Sequence, residues 1–161
     1  MASENCEVTV EKVMRPASTI RDNVTFRDVL TKMIEEKKNS MLVVDAEGKL
    51  VGLVNAKSLV RRAVPDYLEE DVLAARYATE EMFKEEAEKV ADIPVTDFMI
   101  SDIKTIKFSD SIMYAAVVGL AGSNMRVPVL DDEGKPLGIL TRTEIKQLIG
   151  MHLGIVGCFM E

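Results

Sequence analysis

The chain has no tryptophan, one histidine and two cysteines, and aromatic residues make up only 5% of it. Its core must therefore be built from Val, Ile, Leu, Met and Ala. The single histidine, His152, has no serine or carboxylate motif around it, so no catalytic triad is expected. Cys6 and Cys158 stand near opposite ends with neither metal-ligand nor redox spacing, so no metal is expected. No nucleophile–base pair and no phosphate-cradling glycine loop is present, which argues against an enzyme, with no catalytic residue assigned. No apolar run approaches the roughly 20 residues of a membrane span. The first residues (Met1, Ala2, Ser3, Glu4) have neither a basic start nor an apolar segment. A cytoplasmic location with reduced thiols is the resulting expectation. Basic residues are outnumbered, 20 Lys and Arg against 27 Asp and Glu. The formal charge of −7 argues against binding nucleic acid through its phosphates.

What is present is 161 residues, 47% of them apolar, which suits a folded globule rather than a disordered chain. The chain also repeats itself at an offset of 86 without a gap. Thr19-Ile20 recurs as Thr105-Ile106. Asp45, Glu47, Gly48-Lys49 and Gly52 recur as Asp131, Glu133, Gly134-Lys135 and Gly138. Phe26, Leu30 and Ile34 recur as Ile112, Ala116 and Leu120 on what reads as a buried helix face.

The second copy shows the logic most clearly. Residues 127–130 form an apolar strand, and Asp132-Glu133-Gly134 supplies turn chemistry. Residues 137–140 form a second strand, and Thr141 with Glu144 makes a capping-box pattern at a helix start. In the first copy, strands at 41–44 and 50–54 flank the turn Ala46-Glu47-Gly48, and a helix follows over about 56–63. Upstream, Thr25 with Asp28 starts one helix, and Ser109 or Asp110 is expected to cap its counterpart, which Gly122-Ser123-Asn124 ends. Each copy thus reads β-α-β-β-α over about 50 residues. One copy alone is too small for an adequate core, so the two are expected to share one about a pseudo-two-fold axis. The fold class is α+β.

The division is a polar lead-in at 1–12, repeat one at 13–64, a connector at 65–96, repeat two at 97–150 and an apolar tail at 151–161. The connector is acidic. Residues 66–92 hold ten Asp or Glu against three Lys or Arg, with apolar residues spaced for one or two amphipathic helices. It reads as a solvated link docked by its apolar stripe, or as a surface for a partner protein. The tail is expected to pack on the body or on another subunit.

This tandem β-α-β-β-α pattern, with its apolar-Val-x-Asp, x-Glu-Gly and Gly-apolar-apolar motifs, resembles the cystathionine-β-synthase-type (CBS) domain pair, or Bateman module. The resemblance covers residues 13–64 and 97–150. It implies clefts for adenosine-containing ligands (AMP, ADP, ATP or S-adenosylmethionine), a regulatory role, and pairing into homodimers that act on a separate effector protein. An alternative is a ligand-free dimerisation module that presents the acidic connector to a partner.

By family position, the segment Gly138-Ile139-Leu140-Thr141-Arg142-Thr143-Glu144 sets a hydroxyl and a carboxylate at a helix start, where the carboxylate accepts from both ribose hydroxyls. Glu144 stands where the family has Asp, and the pattern is equally that of a plain capping box. Arg126 holds the family's phosphate-facing position, where a guanidinium makes forked bonds, or is simply an exposed Arg. Arg142 and Lys104 are weaker phosphate candidates. Lys104, Thr105, Ile106, Met125, Val127 and Pro128 would form the adenine slot, although Ile106 also suits the core. The matching first-copy residues are Ser18, Thr19, Ile20, Ser40, Met41 and Leu42. That copy has Asn55 and Ser58 in place of the hydroxyl and acid and Ser40 in place of Arg126, with Lys57 left to reach a phosphate. The two sites should therefore be unequal, the second being the better.

Overall fold

Strand and turn chemistry recurs in the two halves. In this computed structural model, which describes residues 8–122 and 125–158, the halves form two three-stranded sheets. Cys6, the Ser123-Asn124 pair and Phe159 lie outside the described residues.

The first sheet holds β1 (Thr19–Arg21), β2 (Ser40–Val44) and β3 (Leu50–Asn55), and the second β4 (Ile106–Lys107), β5 (Arg126–Leu130) and β6 (Pro136–Thr141). In each, the outer pair is parallel and the hairpin antiparallel. Both hairpins turn the same way. Asp45 accepts from the Glu47 and Lys49 amides, and Asp131 from the Glu133 and Lys135 amides, all at 2.9 Å. Gly48 and Gly134 close these turns at φ +83° and +85°, a region that costs glycine little.

Helices α1 (Val10–Val13), α2 (Phe26–Glu35), α3 (Ala56–Ala63), α4 (Asp66–Glu70), α5 (Val72–Ala75), α6 (Glu80–Val90), α7 (Ile112–Ala121) and α8 (Arg142–His152) complete the order, with a 3₁₀ turn at Val95–Asp97. Capping boxes start α2 (Thr25, Asp28), α3 (Asn55, Ser58) and α8 (Thr141, Glu144). The cap of α7 is Ser111, not Ser109 or Asp110, because the Asp110 carboxylate is taken by the Lys107 amide at 2.8 Å.

The backbone falls into two compact units, residues 18–101 and residues 8–17 with 102–158. The lead-in before each repeat thus belongs with the other repeat's hairpin. Arg15 exchanges backbone hydrogen bonds with Ile139, and Ile100 with Leu53. Each unit has a core cluster of its own. Val95 joins Ile20, Phe26, Val29, Met41, Val43 and Val54 in one. In the other, Val10 and Val13 join Ile106, Val127, Val129, Leu140 and Leu148, so the lead-in is partly core rather than polar spacer.

Two other expectations are corrected. The buried face of α2 is Phe26, Val29 and Met33, while Leu30 and Ile34 point to solvent; in α7 it is Ala115 and Gly119, with Leu120 exposed. An apolar band wider than one helical stripe leaves its outer edge unburied. The connector forms three helices, because Asp71 and Thr79 each cap a new start and interrupt the run. In the tail, α8 continues to His152, Met151 packs against the core of its unit, and Leu153, Ile155 and Val156 are exposed in the single chain.

Candidate functional site

The repeat glycines explain how the lead-ins reach the hairpins. A Cβ on Gly138 would stand 2.8 Å from the Arg15 carbonyl oxygen and 2.9 Å from the Met14 sulfur. On Gly52 it would fall on the Met99 side chain. Glycine is needed at both positions because another chain segment crosses directly over it.

The crossing delivers Arg15 to the start of α8. Its Nη2 donates to Thr141 Oγ1 at 2.9 Å, and its Nε pairs with Glu144 Oε1 at 3.1 Å. Glu144 Oε2 accepts from the Thr141 amide (2.8 Å) and hydroxyl (2.6 Å), while that hydroxyl also accepts from the Thr143 amide at 3.2 Å. Every hydrogen-bonding position of the Thr141 hydroxyl is occupied. Glu144 is 6% exposed. Arg15 lies half exposed above this carboxylate.

Two further guanidiniums stand beside this pair. Arg126 is directly opposite Thr141 in the β5–β6 ladder, and opposed residues share a sheet face. Arg142 is the first residue of α8. Burial lowers the Arg126 pKa first, and the positive fields of Arg142 and Arg15 lower it further. Arginine stays charged regardless. Three cations thus surround one acid at the N-terminus of an 11-residue helix, whose own dipole adds positive potential. In a chain of net charge −7, this is a local excess of positive charge.

The other residues anticipated in this unit divide by depth. Ile106, Val127 and Pro128 are buried, the first two within the core cluster. Thr105 is half-buried and Lys104 exposed. Met125, at φ +44°, is half-buried with its Cε against Gly119. Thr105 and Ile106 also line a cleft of about 530 Å³ toward the far end of the strands, with Lys107, Asp110, Asp131 and Asp132. Its carboxylates bond the turn amides and Lys107, and their negative charge does not suit a phosphate.

In the first unit the corresponding geometry is neutral. Ser40 stands opposite Asn55, and Asn55, 3% exposed, exchanges hydrogen bonds with Ser58 at 2.9 and 3.1 Å. Ile100 takes the crossing place of Arg15. Ser18 donates to Glu36 at 2.7 Å, and the Thr19 carbonyl accepts from Lys32 at 2.6 Å. Ile20, Met41 and Leu42 are buried, and Lys57 is exposed. Sequence reasoning missed Arg15. The echo of Met14-Arg15 in Met99-Ile100, one residue off the main offset, was the available signal.

The family model of the CBS domain matches residues 10–64 and again 95–150. The chain belongs to the CBS-domain family, as a tandem pair. The CBS-pair protein CBSX2 from Arabidopsis thaliana superposes with a TM-score of 0.71 at 24% identity, covering 92% of this chain and 98% of that one. CBSX2 has also been solved in complex with AMP, with a TM-score of 0.66 to this chain. A CBS domain-containing protein from Kribbella flavida gives a TM-score of 0.73 at 19% identity, covering 89% of this chain and 99% of that one. Among curated relatives, an uncharacterised protein of Methanocaldococcus jannaschii is 26% identical over 145 residues. That match covers 90% of this chain but only 30% of the relative's length. Among the described residues of this CBS pair, no helix is long and apolar enough to cross a membrane.

Proposed function

We propose that this CBS pair is a regulatory module that binds an adenine nucleotide at the start of α8, in the unit containing residues 102–158. The observation that carries the reading is the convergence of Arg15, Arg126 and Arg142 around Thr141 and Glu144. The phosphates sit among the guanidiniums, which make forked, charge-assisted bonds to phosphate oxygens. As Arg15 turns to the phosphate it releases Glu144 and Thr141 to the ribose hydroxyls. The adenine lies along Lys104, Thr105 and Met125. The AMP complex of CBSX2 supports this ligand class.

The neutral set Ser40, Asn55, Lys57 and Ser58 makes the first unit the weaker site. S-adenosylmethionine, which has no phosphate and carries a sulfonium cation, is the least suited of the four candidate ligands. Binding biases the conformation of the module, and through it a separate effector, by the difference in affinity between two states. The reading includes no catalytic step. The exposed apolar residues Ile34, Val117 and Leu120 on α2 and α7 support a homodimer.

Isothermal titration with AMP, ADP, ATP and S-adenosylmethionine tests the reading. Saturable binding of at least one phosphorylated nucleotide is expected, with S-adenosylmethionine weakest and Arg126→Ala lowering affinity by about tenfold or more. Flat titrations with all four ligands would overturn it.

A further inference from the structure

The connector is the part of the molecule that the fold leaves unexplained. None of the residues of α4 and α5 is buried, and in α6 only Val90 is. Helices this short draw their stability from packing rather than from their own hydrogen bonds. Yet Tyr67 (57%), Val72 (72%), Leu73 (65%) and Phe83 (59%) remain exposed. They belong to a segment, residues 66–92, with ten acids and three bases. Core packing therefore does not account for these apolar side chains.

Two of them, Tyr67 and Phe83, line a pocket. Where α3 ends at Val64-Pro65, the chain loops through α4 and α5 and returns along α6, enclosing about 260 Å³. Pro65, Leu68, Ala75, Ala78, Met82 and Phe83 contribute its walls, and Glu85 and Glu86 line it as well, Glu86 accepting from Lys89 at 2.6 Å. The volume is below the roughly 300–1,000 Å³ typical of small-molecule sites. It suits one bulky side chain, the usual form of an interface anchor.

Charge decides among the possible occupants. A second copy of this chain would bring its own acidic connector and be repelled, and so would nucleic acid or an anionic membrane. A partner that presents one large apolar residue among lysines and arginines satisfies both the pocket and its carboxylates. We infer that the connector pocket docks a basic amphipathic helix of a partner protein, with a bulky apolar anchor seated against Met82 and Phe83 and its cations facing the carboxylates of α6. Helix-in-groove recognition with acid–base complementarity is an established mode of peptide capture. The inference does not depend on nucleotide binding.

The test is fluorescence anisotropy of the full chain with a labelled helical peptide made of lysine and leucine with one tryptophan. A matched peptide with glutamate in place of lysine serves as control. Saturable binding of the basic peptide is expected, weakening steeply between low and high salt as screening shortens the reach of the charges. Phe83→Ser and Glu85→Lys are each expected to reduce affinity by about tenfold with unchanged thermal melts, since both residues are exposed. Absence of binding would overturn the inference. So would equal binding of the acidic peptide, or equal binding by both variants. The salt and acidic-peptide arms need no variant to fold. A dimer that Phe83→Ser converts to monomer in sedimentation would assign the pocket to a second copy instead.

Discussion

Replacing each repeat glycine with alanine should cost the two units unequal amounts, and the structure says which suffers more. At Gly138 the new methyl meets the Arg15 carbonyl oxygen at 2.8 Å. That oxygen cannot simply withdraw, because it accepts the Ile139 amide at 2.9 Å while Arg15 donates back to Ile139 at 3.1 Å. Overpacking costs about 1–3 kcal/mol. Loosening the paired backbone bonds adds about 1 kcal/mol each. Gly138→Ala should therefore destabilise by about 3 kcal/mol, or about 6–12 °C in melting temperature for a chain of this size. At Gly52 the two nearest atoms are Sδ and Cγ of Met99, which a rotamer change can move while Ile100 and Leu53 stay paired. Gly52→Ala should cost about 1 kcal/mol. Urea denaturation of both variants measures the difference. Met99→Ala should partly rescue Gly52→Ala, whereas Met14→Ala should not rescue Gly138→Ala. Equal costs, or a larger cost at Gly52, would refute the claim that the lead-in backbone itself occupies the glycine's space.

Other consequences concern caps and charge. Asn55→Ala removes the buried N-cap of α3 and should cost about 1–2 kcal/mol, read by thermal melting. Arg15→Gln should weaken nucleotide binding and also lower stability by about 1–2 kcal/mol, because Glu144 loses a charge-assisted partner. An affinity unchanged by Arg15→Gln would remove that residue from the site. Asp28 has its pKa held below the usual carboxylate range, first by the Thr25 amide and then by the Thr25 hydroxyl. Its ionised form is thus favoured in the native state. The stability it contributes is full above the unfolded value near pH 4 and is lost as pH falls through the lower native value. Asp28→Asn should flatten the dependence of melting temperature on pH below about 4, and an unaltered slope would contradict the assignment.

Local chemistry was legible in the sequence wherever it acts within a few residues. Gly134, and Thr141 with Glu144, marked the second turn and the cap of α8 without help from elsewhere, although the acid that bonds the turn amides is Asp131 and not Asp132. The repeat extended that reading to the first hairpin and so to the family. Nonlocal placement was not legible. Arg15 finds Thr141 across 126 residues of sequence, and only the fold brings that crossing about. Leu30 and Leu120 carry the helical apolar period yet face solvent, because spacing gives the width of an apolar band and not which edge meets the sheet. The continuity of the acidic connector concealed the restarts at Asp71 and Thr79.

The most direct test of the central claim is the stoichiometry of AMP or ATP binding in matched variants of the two units. The wild-type chain is expected to take one nucleotide per chain with high affinity. Arg126→Ala should weaken that site by about tenfold or more, and Lys57→Ala should leave it intact. Two equal sites, or a single site lost in Lys57→Ala and kept in Arg126→Ala, would contradict the assignment to the arginine cluster.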